Sequence, residues 1–213
     1  MAMIPMTEVL PEILPSVDAC PNPVAQRALR DTMMDFCRRS EAWHYRDEYV
    51  PTIADLGEME LPLPENTRLI KILSLSYNGR VLNAASEKVL DNQVANWRKE
   101  TGEPFAFFEL SGSRVRLYPT PESTTVGCLQ ATYALSPTRQ STVIDEHFFD
   151  EWLEWLVAGT VGRLRMMGDQ PWTDTDRAPM DMAKYEYGLE QARRYSRNDH
   201  QAKPMRVTSY GGL

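Results

Sequence analysis

IDEHFFDEWLEWLVAGTVGRLRMM, from Ile144 to Met167, is the longest run of helical periodicity in the sequence. Apolar residues recur there every three or four positions, along two adjacent stripes. One stripe contains Phe148, Trp152, Trp155, Gly159, Gly162 and Met166, and the other contains Phe149, Leu153, Leu156, Thr160, Leu164 and Met167. Two adjacent stripes predict a helix that is buried on more than one side. We expect one stripe to face the chain's own core and the other to be available to a neighbouring copy.

Two glycines in this stretch indicate close packing. Gly159 and Gly162 each cost about 1 kcal/mol relative to alanine in a helix interior. That cost predicts that another backbone approaches the helix there. We therefore assign Trp152, Trp155, Gly159 and Gly162 to helix packing or to packing between subunits.

The composition is that of an ordinary globular protein. The chain has 213 residues, of which 42% are hydrophobic and 25% charged, and its net charge is -7. A DNA-binding domain is usually basic, so the acidic balance argues against tight, nonspecific binding to duplex DNA. The net charge does not exclude a surface along which DNA moves without binding.

Nothing in the sequence predicts a membrane or secretory segment. The N-terminus lacks the basic region and apolar run of a signal peptide. The apolar window from Leu153 to Met167 contains two arginines and is too short to cross a bilayer. Three cysteines without a CxxC pair predict free thiols rather than a zinc site.

The remaining chain divides by its periodicity. Four prolines predict an extended arm over residues 1–21, whose apolar residues need a surface to lie on. Asn22-Pro23 predicts a helix start, with Asn22 as N-cap. Residues 22–40 and 138–197 together predict a helical bundle, with a last helix over 177–197. Residues 198–213 have no periodicity and form a C-terminal tail.

Residues 41–137 predict a β-rich lobe with a short helix, inserted into the bundle, and the fold class is therefore α+β. Strands are predicted from Trp43 to Pro51, over 68–77 and over 126–135, and a hairpin over 105–118. Asn78-Gly79 is the strongest signal for a two-residue hairpin turn. Ser86 starts a short helix with Leu90, Val94 and Trp97 on one face.

One helix face could be a metal site. Glu146, His147, Asp150, Glu151 and Glu154 lie together at the start of the longest helix, and a metal-dependent hydrolase could use such carboxylates. The pattern is not HExxH, however, and a second His or Cys at ligand spacing is missing. Acidic residues in a first helical turn also have a sufficient cause in the helix dipole. We predict no catalytic residue, no metal site and no cofactor.

The C-terminal region has a basic bias. Arg193, Arg194, Arg197, Lys203 and Arg206 are accompanied only by Asp199. These residues could form a solvated helix end and tail, or a basic arm that docks on an acidic partner or contacts phosphate. Tyr210 and Leu213 are unusual in a purely solvated tail.

The order of these segments resembles the head–tail connector (adaptor) proteins of tailed bacteriophages. The resemblance covers about residues 10–197 and contains no catalytic motif. It rests on CPNPVAQRALRDTMMDFCRRSEAW from Cys20, TGEPFAFFE from Thr101, VRLYPTPES from Val115, TYALSP from Thr132, and FDEWLEWLVAGTVGRLRMMGDQPW from Phe149, followed by a final helix.

The resemblance implies a structural virion protein at the neck of the phage, made in the host cytoplasm. It implies a ring of twelve copies that joins the portal protein to the tail or nozzle protein, with DNA passing through the lumen without specific binding. It also implies a tail that reaches the portal, for which we select Arg197, Lys203, Arg206, Tyr210 and Leu213. The alternatives are another neck or tail-completion protein, the metal-dependent hydrolase and a DNA-binding module.

Overall fold

A computed structural model describes residues 2–93 and 96–197. In chain order its elements are β1 (Met3–Pro5), α1 (Leu10–Ile13), α2 (Asn22–Ser40), β2 (His44–Thr52), β3 (Glu58–Glu60), β4 (Thr67–Tyr77), β5 (Arg80–Val81), β6 (Asn83–Ala84), α3 (Glu87–Gln93), β7 (Ala106–Glu109), β8 (Arg114–Tyr118), β9 (Thr125–Pro137), β10 (Val143–Asp145), α4 (Glu146–Arg165) and α5 (Ala178–Arg197). The α+β class is confirmed. No helix in the described ranges is long and apolar enough to cross a membrane.

The chain forms two compact units. Trp43–Ser141 is the β unit, and the chain before and after it forms the helical unit. The helical unit is built on α2, α4 and α5, which all contact one another. Phe36 of α2 lies at their meeting point, because its ring is 5.7 Å from the ring of Trp152 and 6.0 Å from that of Tyr185, between ring centroids.

The predicted extended arm over residues 1–21 is wrong. Only β1 is extended, and it pairs antiparallel with β10, with Ile4 opposite Ile144. Beyond it, 3₁₀ turns and the one-turn helix α1 run from Met6 to Ser16. Pro11 and Pro15 are compatible with helical turns because they stand in first-turn positions, where no hydrogen-bond donor is required. The segment does lie on a surface, since its apolar side chains are buried, namely Met6, Val9, Leu10, Ile13 and Val17.

The ends of the long helices differ slightly from the prediction. Helix α4 begins after Asp145, whose carboxylate caps it by accepting a hydrogen bond of 2.8 Å from the backbone N–H of Phe148. Asn22 is not the N-cap of α2, because Pro21 occupies that position and Asn22 already lies in the helix. Glu41 ends α2 in the left-handed conformation with φ 56°, and its N–H donates to the carbonyl of Cys37.

Helix α4 does not leave an apolar stripe for a neighbouring copy. Phe149, Leu156, Thr160 and Leu164 of the second stripe are all buried within this chain. Helices α1, α2 and α5 all pack against α4, so both stripes are largely covered, and Met166 at the end of the first stripe is exposed. The expectation of a free stripe is therefore wrong, and the reason is that the N-terminal segment supplies additional apolar cover that the sequence pattern did not predict.

The β unit contains two four-stranded sheets. One has the strand order β2-β9-β4-β5 and the other β3-β8-β7-β6. All pairings are antiparallel except that of β6 with β7. Pro51 does not end its strand, since β2 continues to Thr52 with register shifts against β9.

The hairpin predictions for the β unit are confirmed. Asn78 and Gly79 have φ of 49° and 77° and join β4 to β5, with Tyr77 opposite Arg80. The second hairpin pairs β7 with β8. The short helix forms as α3, but it does not extend to Trp97, which lies in a separate 3₁₀ turn after Asn96 in the left-handed conformation. Val94 of the predicted apolar face lies outside the described residues. The sequence missed β3, which lies in a segment that the pattern assigns to turns.

Candidate functional site

An ionic cluster around Asp35 joins the three long helices. Its Oδ2 accepts hydrogen bonds from the Tyr185 hydroxyl at 3.0 Å and from the Arg163 guanidinium at 3.1 Å. Arg38 and Arg39, one helical turn further along α2, contact the same carboxylate at 3.0 and 3.3 Å. Only 16% of the Asp35 side chain is exposed.

These contacts explain why the pKa of the Asp35 carboxyl group is lowered. Burial acts to raise the pKa of Asp35, but hydrogen bonds from Tyr185, Arg38 and Arg39 and the charge of Arg163 together hold the pKa below its ordinary value. Burial also raises the pKa of the Tyr185 phenol, and the Asp35 charge adds to that rise. The phenol therefore stays protonated and donates its hydrogen bond.

Arg39 extends the cluster to a second carboxylate. Its two terminal nitrogens donate to the two carboxylate oxygens of Glu186 in α5, at 2.7 and 2.6 Å. These hydrogen bonds are the main reason that the pKa of Arg39 is raised. Such a bidentate pair fixes the position of α2 on α5 as well as adding attraction. The cluster orients helices, and we assign it no chemistry.

Three glycines let side chains enter the contacts of α4 and α5. A Cβ atom on Gly159 would overlap the ring of Tyr185 and would lie 2.9 Å from Cγ2 of Thr32. On Gly162 it would lie 3.0 Å from the sulfur of Met182. The groups nearest to these glycines are therefore side chains of α2 and α5.

The third glycine was missed by the sequence analysis. A Cβ atom on Gly188 of α5 would overlap the side chain of Trp155, which lies across α5 at this point. Trp152, the neighbouring anchor, is buried and its ring centroid lies 5.6 Å from that of Trp155. Gly188 lies inside a predicted helix, where glycine costs about 1 kcal/mol relative to alanine, as it does at Gly159 and Gly162. The same reasoning could therefore have identified it.

The acidic face of α4 does not assemble into a metal centre. Glu146, His147, Asp150 and Glu154 are exposed, and Glu154 pairs with Lys184 of α5 at 2.6 Å. Over the described ranges, no group of three or more His, Cys, Asp or Glu side chains is placed to hold a metal ion.

The predicted tail residues lie at the end of the described chain. Arg197 is the last residue of α5 and is exposed. Lys203, Arg206, Tyr210 and Leu213 lie outside the described residues. Upstream, the α5 terminus is fixed to the end of α2, because Arg193 donates to the Arg39 carbonyl at 2.8 Å and Ser196 to the Glu41 carbonyl at 3.0 Å.

The β unit contains a cleft of about 290 Å³. Trp97 lines it and contacts two guanidinium groups, with Arg98 at 4.4 Å and Arg116 at 5.5 Å from the ring centroid. Each arginine has a carboxylate partner, since Arg98 contacts Asp91 at 2.6 Å and Arg116 contacts Glu58 at 2.7 Å. The cleft thus resembles a packed cation–π cluster more than a reaction site.

Comparison with known proteins agrees with the resemblance found in the sequence. A family model described as the SU10 adaptor protein matches residues 7–208. No curated protein matches the chain.

Proposed function

The chain belongs to the SU10 adaptor protein family, a family of phage head–tail adaptors, and from that membership we propose that it forms a ring joining the portal to the tail. The coarse role follows from the family: the protein is a structural adaptor of a bacteriophage and a component of the virion. The ring, its position at the neck and its twelve copies belong to the proposal. The family match over residues 7–208 is the observation that carries it.

The charge of the chain suits a channel through which DNA moves. A lumen lined with lysine and arginine would retain DNA, because each phosphate contact releases counterions and strengthens binding. A chain with a net charge of -7 opposes that retention. We therefore propose that DNA passes through the ring without specific binding.

A closed ring needs two different contact surfaces on each subunit. Both apolar stripes of α4 are largely covered within the chain, and we therefore propose that the ring contacts lie on other surfaces. We propose that Trp152, Trp155, Gly159 and Gly162 support assembly indirectly, by holding the helical unit rigid.

The proposed contact with the portal is made by the C-terminal tail. Arg197, the last residue of α5, is exposed and is the first of the residues that we select for this contact. Lys203 and Arg206 supply positive charge to the segment, while Tyr210 and Leu213 supply apolar anchors. We propose that the tail binds a groove of the portal.

Deletion of residues 199–213 tests that contact. The shortened chain keeps all described helices and strands, so its thermal unfolding should match that of the full chain. Mixed with purified portal rings from the same phage, it should bind more weakly than the full chain. Unimpaired binding would show that the tail is dispensable, and failure of the full chain to bind portal would contradict the proposed function itself.

A further inference from the structure

One side of the helix pair formed by α4 and α5 exposes large apolar side chains. Met180 is 75% exposed and Tyr187 63%. Lys184 stands between them at helical spacing, so the three share one face of α5. Lys184 contacts Glu154 of α4 at 2.6 Å, which joins this face to the exposed acidic side of α4. Asp150, one turn before Glu154, is exposed as well, and we name these five residues the α4–α5 face.

The α4–α5 face lies on the side of α5 that is turned away from α2. The side of α5 toward α2 is marked by Glu186, which pairs with Arg39 at 2.6 Å. Lys184 is two positions from Glu186, which is about 200° around the helix axis. Helix α2 therefore does not cover the face, and its side chains are available to another molecule.

Helix α2 exposes a basic stripe on the opposite side of the helical unit. Arg27, Asp31 and Arg38 recur at helical spacing and are all exposed, and we name them the α2 stripe. Phe36, which lies where the three long helices meet, is two positions from Arg38 and so points the opposite way. Arg27 is 81% exposed, and the Asp31 carboxylate is 3.9 Å away from it. Arg38 contacts Asp35, whose charge is shared with two further arginines.

The two surfaces carry opposite charge. The α4–α5 face holds two carboxylates and one lysine, whereas the α2 stripe holds two arginines and one aspartate. Surfaces of opposite sign on opposite sides of one unit can join identical copies head to tail, which is the kind of contact that a closed ring requires. A twofold contact of either surface with itself would instead bring like charges together.

We propose that the α4–α5 face of one copy docks on the α2 stripe of the next copy in the ring. Tyr187 and Met180 supply the apolar centre of that contact, and Asp150 meets the arginines of the neighbouring copy at its rim. The inference rests on the proposed function, because it names the surfaces through which the proposed ring closes.

Two variants each remove one side of the contact. Tyr187→Ser with Asp150→Lys changes the α4–α5 face, and we call it the face variant. Arg27→Glu changes the α2 stripe, and we call it the stripe variant. All three side chains are exposed, so both variants should unfold thermally like the wild type.

The matched controls carry the same changes at exposed positions of the β unit. Tyr49→Ser with Glu103→Lys is the control for the face variant, and Lys99→Glu is the control for the stripe variant. Each control alters the net charge by the same amount as its counterpart. Circular dichroism and thermal unfolding check the fold of all four.

Ring formation is measured on purified portal rings of the same phage. Each full-length chain is added at increasing concentration, and electron microscopy counts the portals that carry a complete ring. The face variant should need about a fivefold or higher concentration than the wild type, because it loses an exposed aromatic anchor. The stripe variant should shift in the same direction, and both controls should match the wild type.

A mixture of the two variants separates a contact between copies from a contact with the portal. The stripe variant keeps an intact α4–α5 face, and the face variant keeps an intact α2 stripe. One sound contact can therefore form between the two variants, but no second one can extend it. Cross-linking on portal should trap dimers in the mixture and monomers with either variant alone.

Three results would overturn the inference. Ring formation by both variants at the wild-type concentration shows that these surfaces are not used. A mixture without dimers shows that the face does not meet the stripe, and equal losses in the controls show a general sensitivity to charge. If the wild type forms no ring on portal, the proposed function itself is contradicted, whereas wild-type rings with unaffected variants refute only the surfaces assigned to the contact.

Discussion

The two units of this protein are held together in different ways. In the helical unit the side chains interlock so closely that Gly159 and Gly188 have no room for a methyl group, and an ionic cluster joins all three long helices. The β unit is built from two separate sheets, one of which has register shifts, and its hairpin turn follows the local signal of Asn78-Gly79. The difference teaches that the helical unit depends on the fit of side chains that are distant in the sequence, whereas the β unit depends on strand pairing and on its turns.

The largest effect should come from overfilling the helical unit. Gly188→Leu forces a branched side chain into the space of Trp155, which is held between α4 and α5. Overpacking typically costs about 1–3 kcal/mol and occasionally more, and we expect at least about 3 kcal/mol here. Urea unfolding measures the change.

Gly168→Leu is the matched control, because no atom lies within 4 Å of a Cβ atom at that position. It should unfold like the wild type. Gly159→Leu should resemble Gly188→Leu, and even Gly159→Ala should destabilise the protein, because its methyl group meets the Tyr185 ring. Wild-type stability of Gly188→Leu would refute the interlocked packing.

The ionic cluster should give the next largest effect. Asp35→Ala leaves Arg163 and the Tyr185 hydroxyl without their shared acceptor, and the free energy of unfolding should fall by about 2 kcal/mol. Asp31→Ala, on the same helix, removes a carboxylate whose side chain is 54% exposed. That change should cost less than about 0.5 kcal/mol, and equal losses in the two variants would contradict the account of the cluster.

The same cluster predicts a dependence of stability on pH. The pKa of Asp35 is lowered in the folded state, so the stability it contributes is fully present above the unfolded pKa of about 3.9 and is lost as pH falls through the folded pKa. The difference in unfolding free energy between wild type and Asp35→Asn should therefore be constant from pH 7 to about 5 and shrink below about 4. A difference that grows on acidification would have the wrong sign.

The smallest effect should come from the hairpin of the β unit. Gly79→Ala adds a methyl group to open space, but it places alanine at φ 77°, which should cost about 1 kcal/mol. Asn78→Gly is the control, since glycine accepts the φ of 49° readily. Hydrogen exchange at Arg80, opposite Tyr77 in the hairpin, should accelerate in Gly79→Ala and not in Asn78→Gly.

Local sequence patterns predicted the helices and turns better than they predicted the contacts between those elements. The periodicity around Trp152 gave a helix within two residues of its ends, and Asn78-Gly79 gave the turn, because both depend on neighbours along the chain. The burial of Asp35 could not be predicted, because its partners Arg163 and Tyr185 are more than a hundred positions away. Gly188 could have been identified from its place inside a predicted helix.

The N-terminal segment shows that amino-acid composition alone does not predict local structure. Its prolines suggested an arm, yet Pro11 and Pro15 occupy the first turns of short helical pieces that only tertiary packing stabilises. Family membership was the part of the function that sequence reasoning reached.

Electron microscopy of the virion neck tests the central claim most directly. We predict a ring of this chain between portal and tail, around the DNA. Density for the chain outside the neck, or a neck in which it contacts neither portal nor tail, would contradict the account.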